Sequence, residues 1–194
     1  GMGLLGLTLP KVLRAAEHAK GPKARAKSVI FLYQFGGPSH IDMFDMKPDA
    51  PEAVRGSHKP ASTCADGIAI SEHLPRTAKV MDKVTLIRSM HHHMNNHNPA
   101  SYYALTGHAP PVDDITLRDN PELYPAYGAV VDRLSRGSDE MPTFVALPWV
   151  IGDGTITPGQ GGSFLGKMHD PLWVTQDPNK ADFKLPELSL PANL

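Results

Sequence analysis

Cysteine is almost missing: Cys64 stands alone in 194 residues, so no internal disulfide can form. No run of about 18 apolar residues occurs, so the sequence predicts no transmembrane segment. A basic excess is missing too. Lys and Arg number 19 against 20 Asp and Glu, and the cations are scattered. That speaks against nucleic acid as a partner, because such binders gather their cations into a patch or stripe. Phosphate loops are also lacking. Neither Gly36-Gly37 nor "GQGGS", Gly159 to Ser163, is followed by the Lys and Ser/Thr of a Walker motif.

What is present is enough chain for one domain with a core, and much proline and glycine, which predicts many turns. Gly1 before Met2 reads as a scar of tag removal. "GLLGLTLPKVLRAAEHA" follows. It reads equally as the tail of a secretory h-region with its cleavage neighbourhood, or as an amphipathic helix over residues 11–18. Residues 1–25 are therefore a leader remnant or an N-terminal helix, and the balance leans toward export.

Residues 28–35 form a continuous apolar and aromatic run ended by Gly36-Gly37-Pro38, the pattern of a strand buried on both faces. Ser71 is placed to cap a helix reaching about Met81, with a strand over 84–88 after it. Val130, Val131 and Leu134 keep helical spacing within 126–137, where Gly137 suits a C-cap. A further strand is expected over 143–147. Alternating strands and helices predict an α/β domain with a mostly parallel sheet flanked by helices, over residues 26–150. Residues 151–194 read as a Gly/Pro-rich irregular extension of that domain: Gly152 to Gly162 as a flexible loop, and the Pro-rich stretch from His169 on as extended segments or loop along the surface. Three strands make a thin sheet, so the domain is expected to be incomplete, with an exposed edge that invites homo-oligomer pairing.

Ligands of open α/β sheets bind beyond the carboxyl ends of the strands. After the first strand stand Ser39, His40, Asp42 and Asp45. Asp42 with His40 pairs a hard and a borderline ligand, suited to a divalent metal; a turn in which Ser39 or Asp42 caps backbone amides explains them equally well. After the second strand comes "MHHHMNNHNPASYYALTG". Adjacent side chains of a strand point to opposite sides, so His91, His92 and His93 cannot all face one ion there; at most one is expected to be functional. His97 sits where Pro99 announces a helix start, and that end of a helix attracts anions. Asn95, Asn96 and Asn98 offer further donors, and Asn96 or Asn98 also suits a plain helix cap. Cys64 reads as inert, Trp149 and Trp173 as packing residues.

"HNPASYYALTG" resembles the sulfatase signature, in which a Cys or Ser nucleophile precedes x-Pro-x-Arg and an apolar stretch ending Leu-Thr-Gly. Aligned on Thr106-Gly107, His97 falls on the nucleophile and Ser101 on the arginine, so formylglycine chemistry has no support. A longer resemblance runs through "SVIFLYQFGGPSHIDMFDMKPDAPEAVRGSHKP", "GIAISEHLPRTAKVMDKVTLIRSMHH", "NNHNPASYYALTG" and "FLGKMHDPLWVTQDPN". These stretches resemble the bacterial exported family called domain of unknown function 1501, a sulfatase-like branch of the alkaline phosphatase superfamily. The resemblance implies an alkaline phosphatase/sulfatase-like core, of which this chain is an N-terminal portion. It also implies export, often behind a twin-arginine leader. An Asp after the first strand binds metal in that superfamily, and Asp42 holds that place. The family's late Asp-His motif does not occur here.

Two functions follow. One is a metal-dependent hydrolase of phosphate or sulfate esters of small molecules or carbohydrates. There, Asp42 and His40 hold zinc, calcium or magnesium, and His97 acts as nucleophile, metal ligand or general acid. Asn95 and Asn96 orient the substrate anion. The other is a truncated or degenerate member acting as a binding or structural module, since a catalytic zinc normally has three protein ligands.

Overall fold

The computed structural model describes residues 26–37, 39–135 and 141–185. The leader remnant or helix expected within 1–25 and the C-cap expected at Gly137 lie outside the described residues. The chain makes two compact units. One is Tyr33–His93; the other joins the described residues up to Leu32 with those from Met94 onward.

In the Tyr33–His93 unit, one helical turn, α1 (His40–Met43), follows the glycine pair. β1 (Pro60–Ser62) and β2 (Ala69–Ser71) form an antiparallel pair with Pro60 opposite Ser71 and Ser62 opposite Ala69. The connecting loop turns at Gly67, φ 74°, and the Thr63 hydroxyl braces it by donating to Ile68 O at 2.9 Å. The helix expected from Ser71 to Met81 is broken into parts. Ser71 ends β2, α2 covers only Pro75–Ala78, and a 3-10 turn spans Met81–Lys83. Pro75 explains the late start. Within a helix it would forfeit a hydrogen bond and clash with the preceding turn, whereas at the first position it costs nothing. Met46, Ile70 and Met81 are the unit's buried apolar side chains. Residues 84–88, expected as a strand, carry no ladder, and Arg88 already lies in a turn.

In the other unit, α3 (His97–Thr106) ends at Gly107, whose φ of 74° is the left-handed C-cap conformation. α4 (Tyr127–Leu134) follows, close to its expected span. β3 (Val145–Ala146) lies parallel to β6 (Leu172–Trp173), with Val145 opposite Leu172. β4 (Gly152–Asp153) and β5 (Thr155–Ile156) make a hairpin that turns at Gly154, φ 66°. Tyr102, Leu117, Leu123, Ala126 and Ala129 form the apolar core.

Three sequence expectations change here. The expected strand over 143–147 is reduced to two residues, although its parallel pairing is present. The run over 28–35 has no ladder among the described residues, and its side chains meet solvent: Val29 is 84% and Ile30 94% exposed. An apolar run becomes a strand only where neighbours accept its amides and cover its faces. Beyond the β4–β5 hairpin, the Gly-rich stretch after Trp149 is irregular and anchored in the fold. It buries Thr157, Pro158 and Gly159. Gln160 fastens it by accepting from Ile151 N (2.8 Å) and donating to Ile151 O (2.9 Å) and Thr157 O (2.7 Å). Trp149, expected to pack, is exposed.

No helix among the described residues is long and apolar enough to cross a membrane. Helix α4 packs closely at Gly128, where an added Cβ would overlap the ring of Phe144. Gly128→Ala is therefore expected to destabilise by about 1–3 kcal/mol through overpacking, despite alanine's better helix propensity. Urea unfolding checks this; a neutral or stabilising result would mean that Phe144 moves aside freely.

Candidate functional site

The head of α3 is the most heavily cross-linked place in its unit. Asn98, the second residue of the helix, is fully buried. Its Nδ2 faces Ile115 O (2.8 Å), Thr155 Oγ1 (3.0 Å) and Asp153 O (3.1 Å), and its Oδ1 accepts from Thr157 Oγ1 at 2.6 Å. One side chain thus ties the helix start to the 113–115 segment and to the β4–β5 hairpin. An amide is suited to this position because it offers donors and an acceptor from a single planar group.

Just upstream, Asp113 collects the asparagines. Its carboxylate accepts from Asn95 N (2.8 Å), Asn95 Nδ2 (3.2 Å), Asn96 N (3.1 Å) and Asn96 Nδ2 (3.1 Å). The Asn95 amide is the largest of the influences that hold the Asp113 carboxyl below the usual carboxylate range; the Asn96 donors add to it. Asn96 occupies the N-cap position with extended backbone, φ −103° and ψ 144°, but its side chain makes no cap bond because it is turned toward Asp113. The expected donors for an anion are therefore assembled, and the anion they meet is the chain's own carboxylate.

His97 is the first residue of α3 and is exposed. Pro99 is buried two positions on, as the spacing predicted. At the far end, Thr106 donates to Tyr102 O at 2.7 Å, and Tyr102 Oη accepts from Tyr124 N at 2.8 Å. Burial pushes the Tyr102 and Tyr127 hydroxyls up and the His108 imidazole down. His108 stacks on Tyr124 with ring centroids 3.5 Å apart.

The metal candidates fall in the Tyr33–His93 unit. His40 begins α1 and is exposed, and Asp42 lies half-buried in the same turn, its N–H donating to Ser39 O at 3.0 Å. Phe44 N and Asp45 N donate to His40 O and close the turn. Arg88 fixes it from outside: Nε donates to Phe44 O and Nη2 to Ala69 O, each at 2.8 Å. Asp45 lies 2.7 Å from Lys47, whose hydrogen bond is the main cause holding the Asp45 carboxyl low. His40 and Asp42 belong to no close trio of ligand donors among the described residues. Among the described residues the one trio of His, Cys, Asp or Glu donors close enough to share an ion is His58, Glu72 and His73. His91 and His93 touch edge to face at 5.8 Å, and His91 Nδ1 lies 3.1 Å from Ser89 O.

Sequence reading missed four residues of consequence. Asp113 is a lone acid 17 positions beyond Asn96, and nothing local connects them. Arg88 reads as the end of a strand, yet its two carbonyl bonds span α1 and β2. The pair His169 and Asp132, Nδ1 to carboxylate 2.7 Å, joins α4 to the 3-10 turn Lys167–His169.

A family model described as "Protein of unknown function (DUF1501)" matches residues 26–194. No curated protein and no solved structure matches the chain.

Proposed function

The chain belongs to the DUF1501 family of proteins of unknown function, and from that premise we propose that it is a sulfatase-like protein of the alkaline phosphatase type. In this reading it is exported and hydrolyses phosphate or sulfate esters of small molecules or carbohydrates. The observation that carries the reading is the head of α3: an exposed His97 on the first helical position, above a buried Asn98 that fixes its place. The positive end of the helix favours the ester anion. The imidazole then either attacks the central phosphorus or sulfur, displacing the alcohol, with water afterwards releasing the phosphate or sulfate from the ring, or protonates the leaving oxygen while water attacks. Phosphatase-like folds bury their central strands, and the exposed apolar run at Val29–Leu32 accords with a sheet awaiting a neighbour, whether from further chain or from a second copy.

A second reading, a binding or structural module without turnover, is favoured by a different observation. Asp113 already fills the Asn95 and Asn96 donors, and Asp42 with His40 supplies only two ligands. One experiment separates the two. Aryl phosphate and aryl sulfate turnover, and metal content by elemental mass spectrometry, are measured for the wild type, His97→Ala and Asp42→Ala. The hydrolase reading expects turnover that falls by about 100-fold or more in His97→Ala, and bound metal that is lost in Asp42→Ala. No turnover, with metal content indifferent to Asp42, establishes the non-catalytic reading.

A further inference from the structure

The β1–β2 pair continues past its assigned ends. Pro60 lies opposite Ser71, so Lys59 falls opposite Glu72 and His58 opposite His73. The bonds agree with that register: Glu72 N donates to Lys59 O at 3.0 Å, and Lys59 N donates to the Glu72 carboxylate at 3.0 Å. The second bond folds the Glu72 side chain back across the pair instead of leaving it to extend into water. His73 N lies 3.4 Å from Ser71 Oγ, which steadies the backbone that carries the ring. The His58 and His73 rings meet edge to face with centroids 4.5 Å apart. A ligand nitrogen from each ring and a carboxylate oxygen of Glu72 all lie within 4.8 Å of one another.

We infer that His58, Glu72 and His73 form a binding site for a divalent transition-metal ion, with zinc the best match. The donor set is two imidazoles and one carboxylate, a combination that zinc takes in open sites with a fourth position left to water or a ligand oxygen. Calcium and magnesium demand more oxygen donors and suit this set poorly. Around one zinc at about 2.0–2.2 Å, tetrahedral donors stand about 3.4 Å apart. The three side chains therefore draw together by about 1.5 Å at most, and His73 and Glu72 are exposed, which leaves room for that shift. The exposure of Glu72 and His73 gives a fourth ligand access to the ion. The last backbone bond of the pair, Glu72 N to Lys59 O, stands one residue inside His58 and His73, and a turn closed by Leu74 N donating to Ser71 O at 2.9 Å carries Glu72 and His73. This inference is independent of the hydrolase reading, because it uses neither Asp42 nor α3.

Zinc binding to the full chain is to be measured by titration calorimetry with zinc chloride alone, after removal of metal by a chelator. Variants are His58→Ala, His73→Ala, Glu72→Gln, Asp42→Ala and the triple His91→Ala/His92→Ala/His93→Ala. The expected result is a stoichiometric zinc site, counted apart from any metal at Asp42, weakened at least by the about 10–100-fold that outer-shell changes typically cost when either His58 or His73 is removed. Binding is expected to persist in Asp42→Ala and in the triple variant. Cobalt(II) absorption of the wild type gives a readout that needs no variant: intense visible bands report a four-coordinate site, and faint ones an octahedral, water-dominated ion. Zinc lost only in the triple variant would assign it to the histidine run and overturn the inference. Zinc lost only in Asp42→Ala would overturn it in favour of the α1 turn. No stoichiometric binding, or faint cobalt bands, would overturn it as well.

Discussion

Asn98→Ala is expected to destabilise the protein by about 3–4 kcal/mol, the largest single loss at the candidate site. The substitution removes an amide that is fully buried and faces four partners, two of them backbone carbonyls. Each buried group left without a partner costs about 1–3 kcal/mol, and an alanine-sized gap is too small to let ordered water serve all four. Against a total stability of about 5–15 kcal/mol this is a large share. Asn98→Asp sharpens the argument because it keeps the shape. A carboxylate can still accept from Thr157 but cannot donate to Ile115 O or Asp153 O. It is therefore expected to be at least as damaging at pH 7 as alanine, and less so in acid, where the protonated carboxyl regains one donor. Urea unfolding of the three proteins at pH 7 and pH 5 checks both statements. Variants within about 1 kcal/mol of the wild type would show that α3 does not hang on this residue.

Helix α3 shows what the sequence does reveal. Pro99 as a start signal is local, and the helix begins within two residues of it; Gly107, which ends the helix, is an equally local signal that the sequence reading did not use. Helix α4 is legible for a similar reason: its apolar spacing needs only its own window. The run over 28–35 is different. Its composition states what it prefers, but pairing is decided by segments elsewhere, and the described residues hold none that accept it. Pro75 was in plain view and still misread, because a cap signal at Ser71 was weighed without the constraint of the proline four positions later. The site divides along the same line. His97 and the asparagines stand in one stretch, whereas Asp113, Arg88 and the cross-strand facing of His58 and His73 depend on chain reversals that no local pattern encodes.

Asp113 supplies the second large effect, and it bears on function. Its carboxyl is held below the ordinary range mainly by the Asn95 amide, so the folded protein binds this proton more weakly than the unfolded chain does. The contribution to stability is thus complete above the unfolded value, about pH 4, and is lost as pH falls through the depressed folded value. Asp113→Asn should remove that acid-dependent component while leaving the response of Asp114, which is held low by Thr116, in place. The more informative variant is Asp113→Ala. It empties the position where four donors converge, next to the positive end of a ten-residue helix. Such a place suits a tetrahedral oxyanion. Added sulfate or phosphate is therefore expected to raise the thermal midpoint of Asp113→Ala and to bind it at least about tenfold more tightly than the wild type, a difference of about 1.4 kcal/mol. Vanishing of the effect in Asp113→Ala/Asn95→Ala would locate the anion on these donors. If sulfate favours neither protein, the Asn95–Asn96 pair serves only to seat the helix, and the substrate role proposed for it falls, leaving His97 without an anion-binding partner at the head of α3.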